Sequence, residues 1–433
     1  MCDKTKQIQV VPKVVDPPYE RGLQIIPDCS STMSKSASRF VGGVYPKFIV
    51  SGKGCMVTGD DGKEYIDTIA ALGPILLGHR YPAVNDAIKD QLDNSGIVFS
   101  LPHQLELEVA ELLRELNPPI EMMRFCKNGT DANKAAVRLA RAHSNRMGVA
   151  VARPGYHGCA DWYSVGEPLN AGIPPELGKH LHSFPFNDLK ALEELIKSQP
   201  DLGTVIIEQG LQEPLPGFYD GVRTICDENR MVFILDEVVT GFRWGNGGAR
   251  KHYWIDPDIV CYGKGISNGM ALAVVAGRRK IISRLAKDVF FSTTFGGETL
   301  SLAAAKAVMT LLKTEPVAKH IWDMGTLWMD GFNAMIKEDG GFPDLVQLHG
   351  HPPRSVLKFN DELLRAIFMQ EACLRGVLFG VPIFPMYTWT SQTVDAMIKA
   401  SHSALEVVAE ASVSRKPEAY LKGDMPMGIA IRR

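Results

Sequence analysis

Lys264 stands between two glycines at the end of a short apolar run, in DIVCYGKGISNGM over residues 258–270. Lysine is a poor residue on which to end a buried strand, because its ammonium must be neutralised or kept wet. Once it has lost its proton, the same amine is a nucleophile toward an aldehyde and forms a Schiff base with it. Twenty-eight residues earlier, MVFILDEVVTGFR ends another apolar run on Asp236 and Glu237, just before a glycine turn. Taken alone, Asp236 reads equally as a helix cap or a salt-bridge partner, and Lys264 as a surface lysine in a turn. Together they fit pyridoxal phosphate chemistry, which needs an amine to hold the aldehyde and a carboxylate to keep the pyridine nitrogen protonated, so that the ring accepts electrons.

Two more stretches suit the same cofactor. FCKNGTDANKAAVRLARA reads as a strand, then Asn128, Gly129 and Thr130, then a helix from near Asp131. Backbone amides and hydroxyls at a helix start suit a phosphate, although Thr130 or Asp131 could equally be a plain cap. In ARPGYHGCADW, Tyr156 follows an apolar run and offers a face to stack on the pyridine ring, or to pack in a core. His157 beside it reads as a hydrogen-bonded loop histidine. GKGIS lacks the order of a P-loop, and WGNGGAR lacks the strand and helix around a dinucleotide fingerprint. No HExxH, EF-hand or Cys/His cluster indicates a metal, and there is no GxSxG elbow.

These residues need a scaffold, and the sequence describes one. Between about 103 and 310, helical stretches alternate with short apolar runs, which predicts an α/β fold with a mostly parallel sheet and helices on both faces. Ligands of such sheets sit beyond the carboxyl ends of the strands, where Asp236 and Lys264 fall. Three regions are expected: 1–70, an N-terminal arm and small-domain segment in which FIVSGKGCMVTGDDGKEYID forms a small antiparallel hairpin or meander; 71–310, the large cofactor-binding domain; and 311–433, a smaller C-terminal α/β domain. The formal charge of −2 on 433 residues gives no reason to expect a nucleic acid or anionic membrane as partner, so the partner is a small molecule. Eight scattered cysteines read as reduced thiols in the cytoplasm, and the N-terminal stretch lacks the apolar core of a secretory signal.

In order along roughly residues 39–400 run GDDGKEYIDTIAALGPILLGHRYPAV, MRFCKNGTDANKAAVRLARA, PGYHGCADW, VIIEQG, ILDEVVTGFR, YGKGISNGM and TTFGGETLSLAAA. On these motifs the sequence resembles the class III, fold type I aminotransferases that use pyridoxal phosphate, and most closely the branch of glutamate-1-semialdehyde aminomutase. The resemblance implies a seven-stranded-type sheet and a homodimer with active sites shared at the subunit interface. By position it makes Lys264 the Schiff-base lysine and general acid/base, Asp236 the pyridinium partner, and Val238 the residue under the ring opposite Tyr156. Asn128, Gly129 and Thr130 match the phosphate loop, Thr294 a hydroxyl reaching the phosphate from the neighbouring subunit, and Glu208 an acid near the O3' side. Arg39 lies near where the family anchors a substrate carboxylate. Four departures stand out: Asn128 replaces a serine, Gln209 a proline, Val381 the gating glutamate of the aminomutase, and Thr388-Trp389 its alanine-histidine pair. The activity implied is amino transfer between an amine or amino acid donor and a carbonyl acceptor. The aminomutase reaction stands second, a decarboxylase or racemase third, and a cofactor-binding protein without turnover is the alternative of a different class.

Overall fold

The computed structural model describes residues 17–338, 342 and 344–428. The first part of the expected N-terminal arm, 1–16, and the last residues of the tail, 429–433, lie outside the described residues. Strands β1 (Ile49–Lys53), β2 (Met56–Gly59) and β3 (Glu64–Asp67) form the antiparallel meander, with Gly54 and Gly62 at positive φ in its turns. The main sheet then uses β4 (Met122–Cys126), β5 (Gly148–Arg153), β6 (Leu181–Pro185), β7 (Leu202–Glu208), β8 (Val232–Glu237), β9 (Ile259–Tyr262) and β10 (Ala273–Gly277). Their spatial order is β4-β10-β9-β8-β7-β5-β6. All pairings are parallel except those of β10, which runs antiparallel to both neighbours. A hairpin of β11 (Val346–His351) and β12 (Arg354–Phe359) follows, and β13 (Val377–Leu378) returns to lie parallel to β3.

Every residue of β7, β8 and β9 is buried, as expected of near-continuous apolar strands covered on both faces. Strand alternation then sorts the side chains. Ile206, Ile234 and Cys261 face the helix Gly129–Ser144, whose alanines at 132, 135, 136 and 140 permit close approach, while Ile207, Phe233 and Leu235 face the opposite layer. The same parity carries Glu208 and Asp236 toward the helix Gly129–Ser144 and sends Glu237 the other way. Glu237 Oε1 and Oε2 accept the amides of Arg250 and Ala249. Burial pushes its carboxyl up to about 7, against the hydroxyl of Thr240 and those amides, so it is an anchor for the turn after β8. A second core, with Trp328, Phe332, Phe368, Phe384 and Trp389 from the C-terminal lobe, also takes in Tyr45 and Tyr65 of the meander region. Among the described residues no helix is long and apolar enough to cross a membrane.

The turn after β9 is held by a side chain. Lys264 and Asn268 both have left-handed backbones, with φ of 44° and 46°, a conformation that L-residues other than Gly, Asn and Asp adopt at a cost of roughly 1–2 kcal/mol. Asn268 Oδ1 accepts the amides of Leu76 and Leu77 at 2.9 and 2.8 Å, and its Nδ2 donates to Gly78 O at 3.0 Å. One buried amide thus ties the lysine turn to residues 76–78. Asn268→Ala should therefore cost about 3 kcal/mol, because it strands buried backbone groups, and lower the midpoint of urea unfolding with an unchanged slope. A loss below about 0.5 kcal/mol, the scale of an ordinary surface substitution, would remove Asn268 from this role.

Candidate active site

Parallel register puts the two carboxylates side by side, since Glu208 of β7 pairs with Asp236 of β8. Glu237 in turn pairs with Tyr262 of β9, and Lys264 lies two residues beyond that strand end. Glu208, Asp236 and Lys264 open at the carboxyl edge of the sheet, at a cavity of about 300 Å³. Of the residues singled out from the sequence, Asn128, Gly129, Thr130, Tyr156, Glu208, Asp236, Val238 and Lys264 line it. The structure thus brings together eight groups drawn from five separate stretches.

Asp236 is 2% exposed and well supplied with donors. Its Oδ2 is 2.6 Å from Asn133 Nδ2 and 2.8 Å from His157 Nδ1, and its Oδ1 accepts the Val238 amide at 3.0 Å. A carboxylate offers about four acceptor positions, so room is left for one further N–H from the cavity. His157 Nε2 and Asn133 Oδ1 are themselves buried without a partner. At the helix start, Asn128 Oδ1 takes the Asp131 amide at 2.9 Å and Asn128 O takes that of Ala132. The Gly129 and Thr130 amides precede these at the cavity wall, at the positive end of a 16-residue helix. A Cβ on Gly129 would come within 2.9 Å of Val238 Cγ1, and one on Gly158 within 2.3 Å of Thr130 Oγ1, so only bare backbone fits there. An anion at the helix start, an aromatic ring over Val238, a protonated ring nitrogen at Asp236 and an aldehyde at Lys264 would each meet a matching group. Those are the parts of pyridoxal phosphate, and the residues present fit it.

Glu208 is also buried, and its Oε2 accepts the Tyr156 amide at 2.8 Å while its Oε1 takes Arg354 Nη1 at 2.9 Å. Burial by itself would raise this carboxyl, but the charges of Arg354, His157 and Lys264, with the Tyr156 amide, outweigh it and hold the group below its ordinary range. Gln209 occupies the place expected of proline for a visible reason. Its Oε1 accepts the Tyr219 hydroxyl at 2.6 Å and its Nε2 donates to Gln212 O at 2.7 Å, beside His351 at the end of β11. Two expected residues lie apart from the cavity. Thr294 is exposed on the loop before the helix Thr299–Thr314, and Arg39 donates to the carbonyls of Met427 and Gly428 at 3.1 and 2.6 Å.

Sequence reasoning missed Asn133, the Asp236 contact of His157, and Arg354. Asn133 had a usable signal, since it stands four residues after Gly129 and so on the same helix face. Arg354 had none, being 146 residues from its partner Glu208.

The model of the aminotransferase class III family matches residues 41–405. A glutamate-1-semialdehyde 2,1-aminomutase of Syntrophobacter fumaroxidans is 31% identical over 423 residues, covering 90% of this chain and 97% of its own. A 3-aminobutyryl-CoA aminotransferase of Cloacimonas acidaminovorans is 33% identical over 330 residues, 74% of this chain and 78% of its own. The solved structure of the FumI protein of Sphingopyxis sp. MTA144, in its PLP internal aldimine form, aligns at a TM-score of 0.85 and 25% identity, covering 93% of this chain and 98% of that one.

The Glu208–Arg354 pair has a measurable consequence. Arg354→Met leaves a buried carboxylate unpaired and should lower stability at neutral pH by about 3–5 kcal/mol, with part of the loss recovered when Glu208→Gln is added. In the unchanged protein the Glu208 carboxyl sits below its ordinary 4.5, so the pair's stabilisation is present above that pH and is lost as pH falls through the lower folded value. The Arg354→Met variant should lack that acid-side decline. Denaturant unfolding of both variants across pH reads both effects, and purely additive losses in the pair of substitutions would show that the two side chains are uncoupled.

Proposed function

The chain belongs to the class III aminotransferase family, and we propose that within it the protein transfers amino groups between two different molecules. As a member it is an enzyme that uses pyridoxal 5'-phosphate to move an amino group from an amine or amino acid donor to a carbonyl acceptor. When bound, that cofactor supplies an aldehyde that condenses with amines and a protonated ring that draws electrons from the substrate carbon. The observation that carries our assignment of roles is the single cavity shared by Lys264, Asp236 and the start of the helix Gly129–Ser144. In this reading the Gly129 and Thr130 amides bind the phosphate, with Asn128 capping the helix behind them. Asp236, aimed by His157, Asn133 and the Val238 amide, holds the proton on the ring nitrogen. Val238 and Tyr156 would enclose the ring, and Glu208 would stand toward its phenolic edge. Lys264 Nζ would secure the aldehyde and, once displaced by the donor, would carry the proton from the substrate's amine-bearing carbon to the cofactor's C4'.

Transfer between two molecules is supported by the segment 381–389. Its Val381 stands where the aminomutase branch has its gating glutamate, and Ile383, Phe384, Met386 and Trp389 beside it are buried. An apolar side chain in the gating position offers no charge to hold the diamine of an intramolecular exchange, so release competes with return. The intramolecular reading is favoured by the 31% identity to an aminomutase across nearly its whole length, and the 3-aminobutyryl-CoA aminotransferase relative points to β-amino donors as the first to try. Borohydride treatment of the loaded protein should leave the cofactor attached through Lys264, and amine with keto-acid pairs should turn over while glutamate-1-semialdehyde alone is converted poorly. An adduct on another lysine sinks the assignment of Lys264. Efficient formation of 5-aminolevulinate with no turnover of any pair reverses the order of the two reactions.

We also propose a homodimer with shared sites. Ile97, Val98, Phe99, Leu101, Phe290 and Phe295 are exposed, and Thr299 Oγ1 staples the first of these loops to the second through Gly96 O and Ile97 O at 2.7 and 3.0 Å. Thr294, exposed between Phe290 and Phe295, is then presented to the partner's phosphate site. Sedimentation should find a dimer, and Thr294→Ala should weaken cofactor retention several-fold. A monomer that keeps its cofactor on dilution would contradict the shared site.

A further inference from the structure

We propose that Lys127 is a further binding residue for the cofactor's phosphate, with Glu298 as the internal counter-ion that shares its ammonium. The inference rests on the reading of Asn128–Thr130 as the phosphate site and starts from a charge imbalance. A phosphate monoester carries about −1.5 to −2 at neutral pH, whereas a helix start supplies only about half a positive charge. Asp131 in the first turn adds a negative charge of its own, which Lys134 meets at 3.0 Å. Among the residues lining the cavity only Lys127 and Lys264 are basic, and Lys264 is taken up with the aldehyde at the other end. Lys127 directly precedes the phosphate loop.

Its surroundings suit a cation held ready. The Lys127 side chain is 18% exposed, and Nζ lies 2.9 Å from Oε2 of Glu298, itself 13% exposed. Glu298 does not depend on that contact, because it caps the helix Thr299–Thr314. Its Oε1 accepts the Leu300 amide and its Oε2 the Ser301 hydroxyl, both at 2.6 Å. An ammonium that leans toward a phosphate therefore leaves behind a carboxylate still met by the Leu300 and Ser301 amides and the Ser301 hydroxyl, and the exchange lowers the charge deficit at the anion without stranding Glu298.

The pair gives substitutions of opposite sign. Protein stripped of cofactor is titrated with pyridoxal 5'-phosphate and with pyridoxal, and the ratio of the two affinities isolates the phosphate's share of binding. Lys127→Met should cut this ratio by about 10- to 100-fold, the worth of a hydrogen bond to a charged group, and Lys127→Arg should preserve most of it. Glu298→Gln keeps an acceptor for Leu300 or Ser301 but frees the ammonium, so the ratio should rise several-fold. A merely structural role would weaken both ligands together and leave the ratio unmoved. A ratio unchanged in Lys127→Met, or one that moves the same way in both Lys127→Met and Glu298→Gln, overturns the proposal. An unchanged protein with no preference for the phosphorylated compound overturns the phosphate site itself and this inference with it.

Discussion

A carboxylate at the mouth of a buried strand must be met by donors or a cation, and the donors that meet Asp236 come from three places. Asn133 is on the helix that follows β4, His157 on the turn after β5, and the Val238 amide on the turn after β8 itself. Leaving such a group unmatched costs several kcal/mol, so the three segments are drawn to one point. Their convergence gathers the ends of β4, β5 and β8 into one site. It fixes the helix start beside Val238, since Gly129 and Val238 pack with no room for a Cβ, and it carries Tyr156, the residue before His157, to the cavity wall. The same contacts let Asp236 face inward with one acceptor position to spare.

The second carboxylate of the cavity ties β7 to the β11–β12 hairpin. Glu208 reaches across to Arg354 at the start of β12, and Arg243, 1% exposed, reaches back with Nη1 to Pro385 O at 2.6 Å and Nη2 to Gly73 O at 3.1 Å. Burial, with the nearby charge of Arg354, pushes the Arg243 guanidinium down to about 9, and only backbone carbonyls and the face of Phe384 surround it among the contacts seen. Pro74, between two of the residues that Arg243 and its neighbours hold, lines the cavity. The loop that carries Pro74 is thereby anchored to a buried charge, and moving it would leave the Arg243 guanidinium without those acceptors.

Much of this was legible in the sequence because local rules govern it. Apolar runs ending in Asp236 and before Lys264 mark strand ends, and Asn128-Gly129-Thr130 before an alanine-rich period marks a helix start that can face an anion. The meander between 49 and 67 follows from its Gly and Asp-Gly turns. Other features have no local trace. The antiparallel course of β10 follows from a short turn after Lys264 instead of a helical crossover. The return of β13 to β3 joins residues more than three hundred positions apart. Arg354 looks like an ordinary arginine after two prolines until the β11–β12 hairpin swings its turn over β7. Arg39 has a basic residue's usual ambiguity from sequence, and its two bonds to the tail carbonyls come from a chain end that no periodicity described.

The division of labour in the cavity follows from where its parts are rooted. Lys264, Asp236, Val238 and the helix start belong to one sheet and one helix packed on it, and the central strands of that sheet are buried throughout. Their relative positions are set by strand register and by the Asn268 clamp, and the left-handed backbone at Lys264 is tolerated because that clamp over-determines it. Pro74, by contrast, lines the cavity from a loop, and Glu208 at the end of β7 is tied to Arg354 of the β11–β12 hairpin. Substitution there changes what the cavity accepts without moving the amine, the carboxylate and the helix start relative to one another. Relatives can therefore share every group on the sheet side and still differ in substrate.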